Sequence, residues 1–74
     1  MSPEQMKQRL QSHFPGGEVE VTDLTGTEDH YEVFVRSTDF QGLSRIDAHK
    51  KVMDAFRAEL ATGEVHALSI RTQA

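Results

Sequence analysis

Residues 18–24 and 30–36 each alternate apolar with polar side chains, and only five residues separate the two runs. In the first, Val19 and Val21 share one side, with Glu18, Glu20 and Thr22 on the other. In the second, Tyr31, Val33 and Val35 face one way while His30 and Phe34 face the other. A period of two marks half-buried strands, and so short a link between them forces an antiparallel hairpin. Residues 25–29 are the expected turn. The apolar side of the hairpin then has to be covered by whatever flanks it.

Both flanks carry helix patterns. Ser2, Pro3 and Gln5 combine a capping hydroxyl, a proline at the first helical position and a glutamine three residues past the cap. Met6, Leu10 and Phe14 follow at intervals of four, and Gln5, Lys7, Gln8, Arg9 and Gln11 fill the polar face. Pro15-Gly16-Gly17 stops this helix, leaving His13 in its last turn as an ordinary structural residue. After a connector at residues 37–42, Ser44 and Asp47 open a second helix, in which Ile46, His49, Val52, Met53, Phe56 and Leu60 recur at three- and four-residue intervals. Gly63 ends it after about four turns. A last strand is expected over residues 64–72.

The resulting order, α-β-β-α-β, predicts an α+β fold: a three-stranded mixed sheet with two helices on one face. The second helix reverses the chain, so a right-handed crossover makes the last two strands parallel if they are neighbours. No repeat, linker or low-complexity segment interrupts residues 1–74, which read as one domain. At 74 residues, a single core leaves only a few kcal/mol of net stability.

This topology gives the histidines different neighbourhoods. Read as a strand, residues 65–70 place His66 on the side of Leu68 and Ile70, as either a packed, hydrogen-bonded imidazole or a ligand at a sheet edge. Parallel pairing sets the starts of the last two strands at one edge, so His66 and His30 can approach each other. His49 belongs to the opposite end, since roughly 20 Å of helix rise separates it from Gly63. Two histidines are an incomplete metal site, because zinc and iron-sulfur centres generally take four donors. A metal held at His66 and His30 therefore invites a second molecule to supply the rest.

The chain has no cysteine, which excludes disulfides and a self-sufficient thiolate site. There is no G-x-S-x-G, no phosphate-cradling glycine loop and no Cys-His pair, so the sequence offers no enzyme signature. With eight basic against twelve acidic residues, the formal charge of −4 opposes a large electrostatic footprint on nucleic acid. Arg45, His49, Lys50, Lys51 and Arg57 on the second helix are nevertheless a candidate phosphate-contacting set, the alternative being an ordinary solvated face. The beginning of the chain lacks a basic and then apolar leader, and no long apolar run occurs, which predicts a soluble cytoplasmic protein with no membrane partner.

Four short motifs occur in order: Asp29-His30-Tyr31-Glu32-Val33, Phe40-Gln41-Gly42-Leu43-Ser44, Ala48-His49-Lys50-Lys51-Val52 and Val65-His66-Ala67-Leu68. Together they resemble the BolA family, with its Phe-x-Gly turn, its Arg-His-Arg-like helix opening and its Ile/Val-His-Ala strand. The resemblance implies a KH-like fold and a non-enzymatic partner of monothiol glutaredoxins in iron-sulfur trafficking and iron homeostasis. It further implies a [2Fe-2S] cluster shared with the glutaredoxin cysteine and glutathione, with His66 as the principal ligand from this chain. The family's second ligand, a Cys or His, lies in the loop between the first two strands. Residues 25–29 contain neither, which leaves His30 as the nearest candidate. Ala48 and Lys50 stand where the family often has arginines, weakening the DNA-binding, transcription-regulating role of some members.

Overall fold

A computed structural model describes residues 1–26 and 30–74; the expected turn at 25–29 thus lies partly outside the described residues. Helix α1 spans Pro3–His13 and opens with the expected capping box: the Ser2 hydroxyl accepts from Gln5 N–H, and Gln5 Oε1 accepts from Ser2 N–H. Strands β1 (Glu18–Asp23) and β2 (His30–Arg36) form the antiparallel hairpin, with Val19 opposite Val35 and Val21 opposite Val33. Strand β3 (Ala67–Gln73) lies parallel to β2, with Leu68 opposite Tyr31 and Ile70 opposite Val33. The sheet order is β1-β2-β3, so β2 is central and both other strands are edges.

The core fills the space between one sheet face and the helices. Met6 and Leu10 from α1, with Phe14 just past its end, meet Tyr31, Val33 and Val35 from β2, and Ala48, Val52, Ala55 and Phe56 join the cluster. The connector after β2 contributes as well. A single 3-10 turn, Thr38–Phe40, drops Phe40 into the core, where its ring sits 5.2 Å from that of Phe14.

The long second helix is the main correction to the sequence reading. It is two helices, α2 (Arg45–Asp54) and α3 (Arg57–Thr62), separated by a break at Ala55 and Phe56. Across the break the backbone bonds tighten to three-residue spacing: Ala55 N–H donates to the Val52 carbonyl and Phe56 N–H to that of Met53. A partner from α1 accounts for the interruption. Arg9 donates to the Ala55 carbonyl at 3.2 Å and to Glu59 at 2.5 Å, so a guanidinium takes up backbone hydrogen-bonding capacity inside the helix. The buried face of α2 is set by Ala48 and Val52 and continues through Ala55 and Phe56 across the break. Phe56 is fully enclosed, whereas Ile46 and Met53, expected in the core stripe, are 67% and 45% exposed.

Arg9 also sets a pH dependence. Its hydrogen bond and charge hold the Glu59 carboxyl below the usual carboxylate range. A depressed native value favours the folded state at pH above the unfolded carboxylate value of about 4.3. That contribution is lost as pH falls from there through the lowered native value. Arg9→Met is expected to cost about 1–2 kcal/mol near neutrality, as for a lost charge-assisted hydrogen bond. Urea unfolding at pH 7 and pH 3.5 should show the gap between wild type and variant narrowing in acid.

A second correction concerns the last strand. Ordered pairing begins at Ala67 rather than residue 64. Val65, which donates its N–H to the Glu59 carbonyl at 3.2 Å, is instead the buried residue of the approach to the strand. His66 lies ahead of the ladder and is exposed, so its ring does not continue the row of Leu68 and Ile70.

Candidate functional site

The parallel register carries His30 and His66 to one place. His30 opens β2 opposite Ala67, and His66 immediately precedes Ala67. Their ring centroids are 5.4 Å apart, with the planes tilted by 52°. His30 is half-buried on the face of β2 away from the helices, and His66 is exposed to solvent. Two features fix the pair. The ladder pins His30, and the buried Val65 anchors the residue before His66. On the hairpin side, Leu24 N–H donates to the His30 carbonyl at 2.9 Å, and Asp23 Oδ1 accepts from Gly26 N–H at 3.0 Å.

This separation suits a shared metal ion. With metal–nitrogen bonds of about 2.1 Å, two imidazoles on one tetrahedral ion have centroids roughly 5 Å apart. Both rings can therefore reach one ion with side-chain adjustment alone. Among the described residues, no group of three or more His, Asp or Glu side chains is placed to hold a metal. The arrangement is half a coordination sphere facing outward.

The other predicted residues are distributed differently. His49 is half-buried on α2 and lines a groove with Arg45, Ile70, Arg71 and Thr72, towards the far end of β3 from His66. Arg45, Lys50, Lys51 and Arg57 are all exposed, yet they do not form one stripe. At about 100° per residue, Arg45, Lys50 and Lys51 point to three sides of α2. Arg57 lies beyond the helix break and is paired with Asp54 at 2.5 Å. The structure thus brings together the two histidines and disperses the basic set. The sequence reading missed the α2–β3 groove; its only sequence signal is the proximity of Arg45 and His49 on one helix flank, four residues apart.

Comparison with known proteins is consistent over the whole chain. The family model described as BolA-like protein matches residues 1–74. Protein RP812 of Rickettsia prowazekii is 36% identical over 72 residues, covering 97% of this chain and 92% of that protein. BolA-like protein 1 of Mus musculus is 44% identical over 48 residues, covering 65% of this chain and only 34% of the mouse protein, so the chain matches about a third of that relative's length. Among solved structures, the BolA domain of SufE1 from Arabidopsis thaliana superposes with a TM-score of 0.85 at 28% identity, covering 96% of this chain and 88% of that one. A profile that spans every residue, a relative matched nearly end to end and a shared fold agree: this chain belongs to the BolA-like protein family.

Proposed function

We propose that this protein is a non-enzymatic partner of a monothiol glutaredoxin, and that His66, assisted by His30, supplies the imidazole ligands of a [2Fe-2S] cluster shared with the glutaredoxin cysteine and glutathione. The observation that carries this reading is the 5.4 Å His30–His66 pair at an exposed sheet edge, with no further ligand-bearing side chain beside it among the described residues. Half a site selects for a partner that brings the other half. Imidazoles are competent here, since two histidines can replace two thiolates on one iron of a [2Fe-2S] centre. Exposure lets His66 meet a docking protein, and the pairing of His30 with Ala67, the residue after His66, limits the ordering cost of capture. As cargo, the cluster would be carried or handed on rather than used for turnover, consistent with a role in trafficking or iron regulation within the cytoplasm.

Reconstitution of the chain with a monothiol glutaredoxin, iron, sulfide and glutathione tests the assignment. Visible circular dichroism of the mixed complex should differ from that of the glutaredoxin alone, and His66→Ala should abolish the difference. A His66→Ala complex with an unchanged spectrum removes His66 from the ligand set. Duplex DNA binding through α2 is the weaker alternative, because its basic residues point in different directions on a chain of charge −4.

A further inference from the structure

Strand β3 is an edge without the usual protection. Its neighbour β2 occupies one side, and among the described residues the one backbone bond reaching it from outside the strand ladder is Ser37 N–H to the Gln73 carbonyl. On its other side, alternate N–H and C=O groups point outward. Edges are ordinarily blunted by proline, lysine, a bulge or cover. The opposite edge, β1, carries Glu18, Glu20 and Asp23. By contrast, β3 has neither proline nor lysine, and its single charge, Arg71, lies on the outer face beside Glu32 at 3.5 Å.

The cover over β3 is also incomplete. Tyr31, Val33 and Val35 of β2 are fully buried, but Leu68, Ile70 and Thr72 opposite them are only half-buried. Beside them runs the groove of about 360 Å³ lined by Arg45, His49, Ile70, Arg71 and Thr72. Further round the same flank of α2 stand the exposed apolar residues Ile46 and Met53. Arg45 and Lys50 border this surface, and neither has an ion-pair partner among the described residues.

We infer that the free edge of β3, together with the α2 flank bearing Arg45, Ile46 and Met53, is a docking site for an extended acidic segment of a partner protein, added as a fourth strand. Each part of the surface specifies part of the occupant. A strand edge is complementary to a polypeptide backbone, and the half-covered Ile70 and exposed Ile46 suit apolar side chains at alternate positions. The unpaired Arg45 and Lys50 lie on that same helix-facing side, so they favour carboxylates interspersed among those alternate positions, the intervening ones pointing to the opposite face of the sheet. A phosphodiester chain would satisfy the charges while leaving both the strand edge and the apolar flank unmatched. The groove lies beside residues 70–72, on the order of 15 Å along the strand from His66, so the site stands independently of metal binding.

The test uses the full chain, labelled with 15N, and a capped eight-residue peptide with valine and glutamate in turn at its odd positions and threonine at its even ones. Amide shifts should concentrate on residues 67–73 and α2, and Arg45→Glu, a surface change, should weaken binding about tenfold. Two further peptides carry N-methyl groups on one or the other set of alternate amides. Strand addition uses only one set, so the two affinities should differ by about tenfold or more. Equal affinities of the two, shifts confined to other surfaces, no shift at millimolar peptide, or tighter binding of an eight-nucleotide oligothymidylate each overturns the proposal.

Discussion

Phe56→Ala is expected to leave most of the chain unfolded at 25 °C. Phe56 is fully buried at the junction of α2 and α3, and the Arg9 guanidinium lies 5.7 Å from its ring centre. Truncating a buried phenylalanine typically costs about 3–5 kcal/mol through lost burial and the cavity left behind. A domain of this size has only a few kcal/mol to lose. Ile46→Ala is the matched comparison, because the sequence pattern places both residues on one stripe whereas the structure exposes Ile46. That variant should stay within about 0.5 kcal/mol of wild type. Urea unfolding followed by far-ultraviolet circular dichroism distinguishes the two, and similar losses at both positions would contradict the exposure of Ile46.

His66→Cys carries the second large effect. A thiolate at this exposed edge can replace the imidazole, so the mixed complex with glutaredoxin should still assemble a cluster. Its reduction potential should fall by on the order of 100 mV or more, since exchanging neutral imidazole for anionic thiolate stabilises the oxidised form. Because His66 precedes the β3 ladder and is solvent-exposed, the substitution leaves the core untouched. Spectroelectrochemical titration of the two complexes measures the difference. Equal potentials would mean that the side chain at position 66 does not touch the cluster.

Local chemistry made much of this fold legible before any coordinates. The Ser2–Gln5 capping box, the Ser44 cap of α2 and the alternation in β1 and β2 depend on neighbours within a few positions, and all appear as expected. The parallel crossover followed from element order, and with it the approach of His30 to His66. What escaped was set by distant partners. The break after Asp54 coincides with Arg9, 46 positions away from the Ala55 carbonyl it engages, and no periodicity in residues 45–62 signals it. Ile46 and Met53 fit the same three- and four-residue spacing as Val52 and Phe56, and only the burial of Ala48 and Val52 shows which side of α2 faces inward. Phe40 looked like part of a connector because one aromatic in a turn has no period; only its packing on Phe14 reveals its role. His66 was assigned to the apolar row because alternation could be extended back past the start of β3, where it is Val65 that the structure buries.

The central claim is that His66 is a ligand, and nitrogen hyperfine spectroscopy on the reduced mixed complex addresses it most directly. With 15N-histidine incorporated only into this chain, pulsed electron paramagnetic resonance should detect strongly coupled 15N at the cluster, and His66→Ala should remove that coupling or exchange it for another ligand's. A cluster that forms in the complex with no 15N coupling from this chain would contradict the account.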